Sequence, residues 1–135
     1  MRAQRIRNIP ENEKGQSLVE FALVVPLLLL LVVGIFEFGR AWMTRNVMTG
    51  AAREAARIAA VEAPGGGWNG LAAETRGNQI LANSAIATTV SVVDPLTQYG
   101  DVTATVIYNF RVLTGLIPGL DNITLISRTT MRREY

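Results

Sequence analysis

The chain has 135 residues and a mass of 14.7 kDa, enough for one small domain. It is 49% apolar and 18% charged with a mean hydropathy of +0.24, more apolar than a typical soluble domain, so a membrane segment is the first feature to seek. Cysteine and histidine are both absent, which excludes disulfides, thiolate nucleophiles, histidine acid–base chemistry and Cys/His metal sites; 13 Lys+Arg against 11 Asp+Glu is too small an excess for a nucleic-acid partner.

Residues 1–15 read as a basic leader, with Arg2, Arg5, Arg7 and Lys14 against Glu11 and Glu13. The sixteen residues from Phe21 to Phe36 (FALVVPLLLLLVVGIF) then carry no charge. At about 1.5 Å per residue they span roughly 24 Å, short of the roughly 30 Å hydrocarbon core, so neighbouring residues must join the span. We place a transmembrane helix half over residues 16–36. A buried core helix is the alternative, but a chain this small offers no second layer to cover such a run on all sides. A cleaved secretory signal is excluded because the run is too long and Glu37-Phe38-Gly39-Arg40 is no small-x-small cleavage site. Only Arg40 and Arg45 lie just past the far end, so the positive-inside rule favours a cytoplasmic N-terminus and an exported C-terminal part.

Residues 37–63 extend the same helix, giving one helix from Ser17 to Ala63 with Pro26 as a candidate kink. Glu37 and Arg40, three apart, can form an interfacial ion pair, with a solvated pair favoured; Arg53, Glu54 and Arg57 carry the same ambiguity. Two alanine rows, Ala51, Ala55, Ala59 and Ala52, Ala56, Ala60, form a helix-packing face for either another backbone or the chain's own sheet. Ala63-Pro64-Gly65-Gly66-Gly67 ends the helix.

Residues 64–135 read as an exported α+β head. Leu71–Ala85 is a short helix weakened at Gly77, Thr88–Val93 a β-branched strand ended by Asp94-Pro95, Val102–Val112 a half-buried strand of period two, and Ile123–Met131 a third strand. Short connections favour an antiparallel sheet. The fold class is therefore α+β: a long N-terminal helix, membrane-spanning in its first half, packed against a small head with a short helix and a three-stranded antiparallel sheet. Residues 63–127 hold six charges, which suits a surface covered by neighbours or by the helix. No enzyme, cofactor or metal is expected. The serines lack a histidine, Lys14 is the only lysine, and Gly65-Gly66-Gly67 is followed by Trp68-Asn69, not by a phosphate-loop GK[ST].

The most specific signal is Lys14-Gly15-Gln16-Ser17-Leu18-Val19-Glu20, directly before the apolar run. It resembles the processing site of type IV pilin precursors: a basic residue, a glycine, and a carboxylate five residues after the cut. The resemblance implies cleavage by a membrane-embedded prepilin peptidase between Gly15 and Gln16. Residues 1–15 hold four basic and two acidic groups, so their loss would leave nine of each sign. Glu20 near the membrane needs a partner or a shallow position, because a central charged carboxylate costs about 2.5–3.5 kcal/mol on insertion scales. Cleavage would create a largely cationic α-amine, with a pKa of roughly 7.7–8.0. The resemblance implies that this amine pairs with Glu20 of an adjacent subunit and so sets the stagger of a helical stack. The alternative is an interfacial glutamate in an uncleaved signal anchor. Gln16 stands where type IVa pilins usually have phenylalanine.

The order Val19-Glu20-Phe21-Ala22-Leu23-Val24-Val25-Pro26, then Glu37-Phe38-Gly39-Arg40-Ala41, then Ala51-Ala52-Arg53-Glu54-Ala55-Ala56-Arg57 narrows the match. Over residues 15 to about 60 the chain resembles the TadE-like family of the Tad (tight adherence, Flp pilus) system, and its β-rich tail is similar to those of family members. The resemblance implies a pseudopilin or minor pilin in the bacterial inner membrane, needed for biogenesis of a Flp-type pilus. Its implied partners are the inner membrane, the prepilin peptidase, the major Flp pilin, other Tad pseudopilins and the inner-membrane Tad platform proteins. A membrane-anchored periplasmic scaffold that keeps residues 1–15 is the competing class.

Overall fold

The computed structural model describes residues 11–61, 70–93, 100–113, 115 and 121–133, with side chains from residue 15 onward. The expected helix stop at 63–67 and the strand stop at Asp94-Pro95 lie outside the described residues. Five elements follow in order: α1 (Glu11–Val61), α2 (Leu71–Asn83), β1 (Val90–Val93), β2 (Asp101–Arg111) and β3 (Asn122–Arg132). The chain divides into two compact units, residues 1–36 and 37–135.

In the first unit, α1 is already helical at Glu11, six residues before the expected Ser17. Pro26 lies inside the helix, which continues on both sides of it although the proline has no N–H to offer the preceding turn. The side chains from Leu18 to Phe36 are almost all exposed, Leu18, Phe21, Leu23 and Leu27 among them. The helix is long and apolar enough to cross a membrane, and none of its most apolar stretch is buried within the chain. A buried core helix is thereby excluded.

In the second unit the strands form one antiparallel sheet in the order β1-β2-β3. Period-two alternation sends Val102, Ala104, Val106 and Phe110 inward and leaves Ile107, Asn109 and Arg111 outside. The inward face packs on the last half of α1, where Met48, Ala51, Ala52, Ala55, Ala56 and Ala59 are fully buried. The alanine rows are thus filled by the chain's own head. Methyl-sized side chains let sheet and helix approach closely, and the α+β class follows as expected.

α2 adds Ala73, Gly77 and Leu81 to the same core at i, i+4 and i+8. It stops at Asn83 and not at the expected Ala85, because Ala85 takes a left-handed φ of 56°. Ala85 N–H then donates to Ala82 O (3.0 Å) and Ile86 N–H to Leu81 O (3.0 Å), satisfying carbonyls the helix would leave open. β1 begins at Val90, two residues later than expected; before it, the Thr88 hydroxyl donates to Ile107 O in place of a backbone ladder. β1's outer edge is answered by α2 side chains one turn apart: Val90 N–H donates to Asn78 Oδ1 (2.8 Å) and Val92 N–H to Glu74 Oε1 (3.0 Å).

Gly77 is more than a weak helical residue. A methyl placed there would lie 2.6 Å from Val90 Cγ2, 3.2 Å from Val90 Cβ and 3.3 Å from Ala55 Cβ. Gly77→Ala is therefore expected to lower the denaturation midpoint of the detergent-solubilised chain. Overpacking a tight core costs about 1–3 kcal/mol, which outweighs the gain of about 1 kcal/mol in helix propensity. A raised midpoint would mean that three elements do not meet at this glycine.

Candidate functional site

The segment Lys14–Glu20, read from the sequence as a candidate processing site, lies on the first part of α1. The Gly15–Gln16 bond is within the helix, and Gln16 Nε2 donates to Glu20 Oε1 at 3.2 Å, one turn away, with both side chains exposed. A methyl on Gly15 would meet nothing within 4 Å, so among the described residues no packing requires glycine there. Lys14 is helical but its side chain lies outside the described ones. Gly34 and Gly39 are equally free of neighbours.

Glu37 and Arg40 mark the start of the second unit, and their setting differs from the solvated pair favoured by sequence. Arg40 Nη1 donates to Glu37 Oε2 at 2.7 Å, but Glu37 is only 9% exposed. Its other oxygen, Oε1, accepts the backbone N–H of Leu113 at 3.0 Å, just past the end of β2. Arg40 in turn lies over the Phe110 ring, 4.9 Å from its centroid, a cation–π contact worth about 0.5–1 kcal/mol when exposed. The pair is covered because the end of β2 folds onto it. Further along α1 the Thr49 hydroxyl meets the buried Ser127 hydroxyl at 3.0 Å, fixing the helix against β3.

Within the alanine-rich stretch, Arg57 grips Glu54 through Nε (3.0 Å) and Nη2 (2.8 Å), while Arg76 of α2 stands 4.0 Å away. The hydrogen-bonded Arg57 guanidinium holds the Glu54 carboxyl below its ordinary value, and the carboxylate raises Arg57 in return. Arg53 points outward, exposed.

The sequence therefore placed the pairs on the right helix faces but missed their partners. Nothing local links Phe110 to Arg40, and Leu113 contributes through its backbone, which has no sequence signature. Among the described residues, no group of three or more carboxylates could hold a metal ion.

Residues 15–57 match the family model described as TadE-like protein. The match begins at Gly15 and ends at Arg57, so it takes in Gly15–Glu20, the apolar run, Glu37-Phe38-Gly39-Arg40-Ala41 and the Ala51–Arg57 stretch. The resemblance drawn from those residues is thereby shown for this segment. No curated protein and no solved structure matches the chain.

Proposed function

We propose that this chain, TadE-like over residues 15–57, is a pseudopilin or minor pilin of a Tad system. In this reading a prepilin peptidase cuts after Gly15, and the mature chain serves biogenesis of a Flp-type pilus by packing α1 against the helices of other pilin subunits. It acts as a structural subunit and not as an enzyme. The leader stays cytoplasmic, α1 crosses the inner membrane and the head lies on the far side. The major Flp pilin, other Tad pseudopilins and the platform proteins are the partners this role requires.

One observation carries the reading: an almost wholly exposed apolar run follows closely on a glycine that no described side chain packs against. Such a helix must be covered by lipid or by other helices, and small exposed positions such as Gly34 let a neighbouring backbone come close. Glycine costs a helix about 1 kcal/mol relative to alanine, so the Gly15–Gln16 bond is a place where α1 can open locally for a protease.

The continuity of α1 across that bond is the observation that favours the second reading, an uncleaved inner-membrane scaffold. Intact mass separates the two. Co-expression with the cognate peptidase should remove residues 1–15 from the membrane-extracted chain, and Gly15→Ala should keep them. An unchanged mass with active peptidase would overturn the pilin-type reading and leave the scaffold.

A further inference from the structure

The two edges of the sheet differ in how the chain treats them. β1 is short, and α2 covers its edge, where Asn78 and Glu74 accept the N–H groups of Val90 and Val92. β3 is 11 residues long, roughly 36 Å at about 3.3 Å per residue, and β2 is the only described element alongside it.

The register fixes which backbone groups of β3 are open. Val112 N–H donates to Asp121 O and Arg133 N–H to Gly100 O, at the two ends of the β2–β3 ladder. Hydrogen-bonded pairs alternate along an antiparallel ladder, so the odd-numbered residues of β3 bond β2. The even-numbered ones, from Asn122 to Arg132, turn N–H and C=O outward, and their side chains are all exposed. No described group answers these backbone groups. Natural edges are blunted by brevity, proline, lysine or a bulge. β3 has neither proline nor lysine, and its pairing with β2 runs unbroken from Asn122 to Arg132. Such an edge is a template for another strand.

The side chains narrow the kind of strand. The charged residues of the three strands are Asp101, Arg111, Arg128 and Arg132, all exposed on the outer face. Asp101 lies opposite Arg132, but Arg128 lies opposite Thr105, between Ile126 and Thr130 on its own side of β3. On the inner face Ile123 is exposed, and Leu125 and Met131 are half-buried. A partner strand therefore meets cations on one side and apolar groups on the other. A second copy of β3 would bring the same arginines and no acid. An anionic polysaccharide would answer arginines and N–H groups but leave the C=O groups without the regular donors that a backbone supplies.

We infer that the free edge of β3 docks an extended segment of a different protein, one that alternates apolar residues with Asp or Glu and joins the sheet as a further strand. This contact goes beyond helix packing through α1, and it depends on neither cleavage at Gly15 nor a membrane.

Amide hydrogen exchange on the full chain in detergent tests it, with and without the synthetic peptide TVEVTVEVT, whose glutamates have the spacing of Arg128 and Arg132. Ile126 and Arg128 N–H should exchange several-fold more slowly with the peptide, while Leu125 and Thr129 N–H, already bonded to β2, should not change. TVKVTVKVT should bind about tenfold more weakly, because opposite charges across a strand pair attract and like charges repel. Arg128→Glu, a substitution at an exposed position, should abolish that preference. No slowing at Ile126 and Arg128 with peptide at about millimolar concentration overturns the proposal, as does equal affinity for the two peptides. Slow exchange at those amides in the chain alone, strengthening with its concentration, assigns the edge to a second copy and also overturns it.

Discussion

Glu20→Ala should leave cleavage after Gly15 intact while reducing assembled pili at least about tenfold, which corresponds to 1.4 kcal/mol at 25 °C. Among the described residues the Glu20 side chain accepts from the Gln16 amide at 3.2 Å, a neutral donor that does not balance a carboxylate at the head of an apolar segment. Removing residues 1–15 would convert Gln16 into a residue bearing an α-amine, and an amine of a neighbouring subunit is the partner the proposed stack provides. Close interfacial charge pairs measured by double-mutant cycles contribute about 1.5–7 kcal/mol, so the tenfold loss is the lower end. Glu20→Asp, which keeps the charge on a shorter stem, should recover part of it. The comparison is pilus yield against intact mass in the same cells. Normal pili from a correctly cleaved Glu20→Ala chain would remove the carboxylate from the assembly mechanism.

This prediction rests on a segment that was legible from residues alone. The apolar run and the order of glycine and glutamate are local features, and the family match over residues 15–57 falls on them. The α+β head was legible for the same reason, since alternation in β2 and the alanine spacing in α1 each encode a buried face. Element ends were less so. Ala85 closes α2 from a left-handed conformation that alanine disfavours, a choice made by the packing of Ile86 and Leu81 in the core. Thr88 reads as strand by propensity, but its hydroxyl takes the Ile107 carbonyl in place of a ladder bond. Gly77 reads as a helix weakness, whereas Val90 and Ala55 leave no room for a side chain. For Thr88 and Gly77 the deciding atom comes from another element, so no window of sequence contains it.

The same reasoning makes Glu37 the most consequential polar residue of the head. Glu37→Ala removes the acceptor of the Leu113 N–H and the anion beside Arg40 at once. A fully buried donor left without an acceptor costs about 1–3 kcal/mol; the Leu113 bond is only part-buried, so its loss falls at the low end. Stranding Arg40 adds less than the loss of a fully buried pair, because its side chain is 34% exposed and water screens it. A combined loss of about 1–2 kcal/mol is expected, read as a lower denaturation midpoint in detergent. Glu37→Gln separates the two contributions. Its amide oxygen can still accept from Leu113, so the Leu113 amide should keep its protection from hydrogen exchange, while Glu37→Ala should lose it. If both variants exchange alike, the charge and not the acceptor holds the end of β2 to α1. If neither changes protection, the Glu37–Leu113 bond does not hold the end of β2, which then rests on the Arg40–Phe110 contact and the core packing on α1.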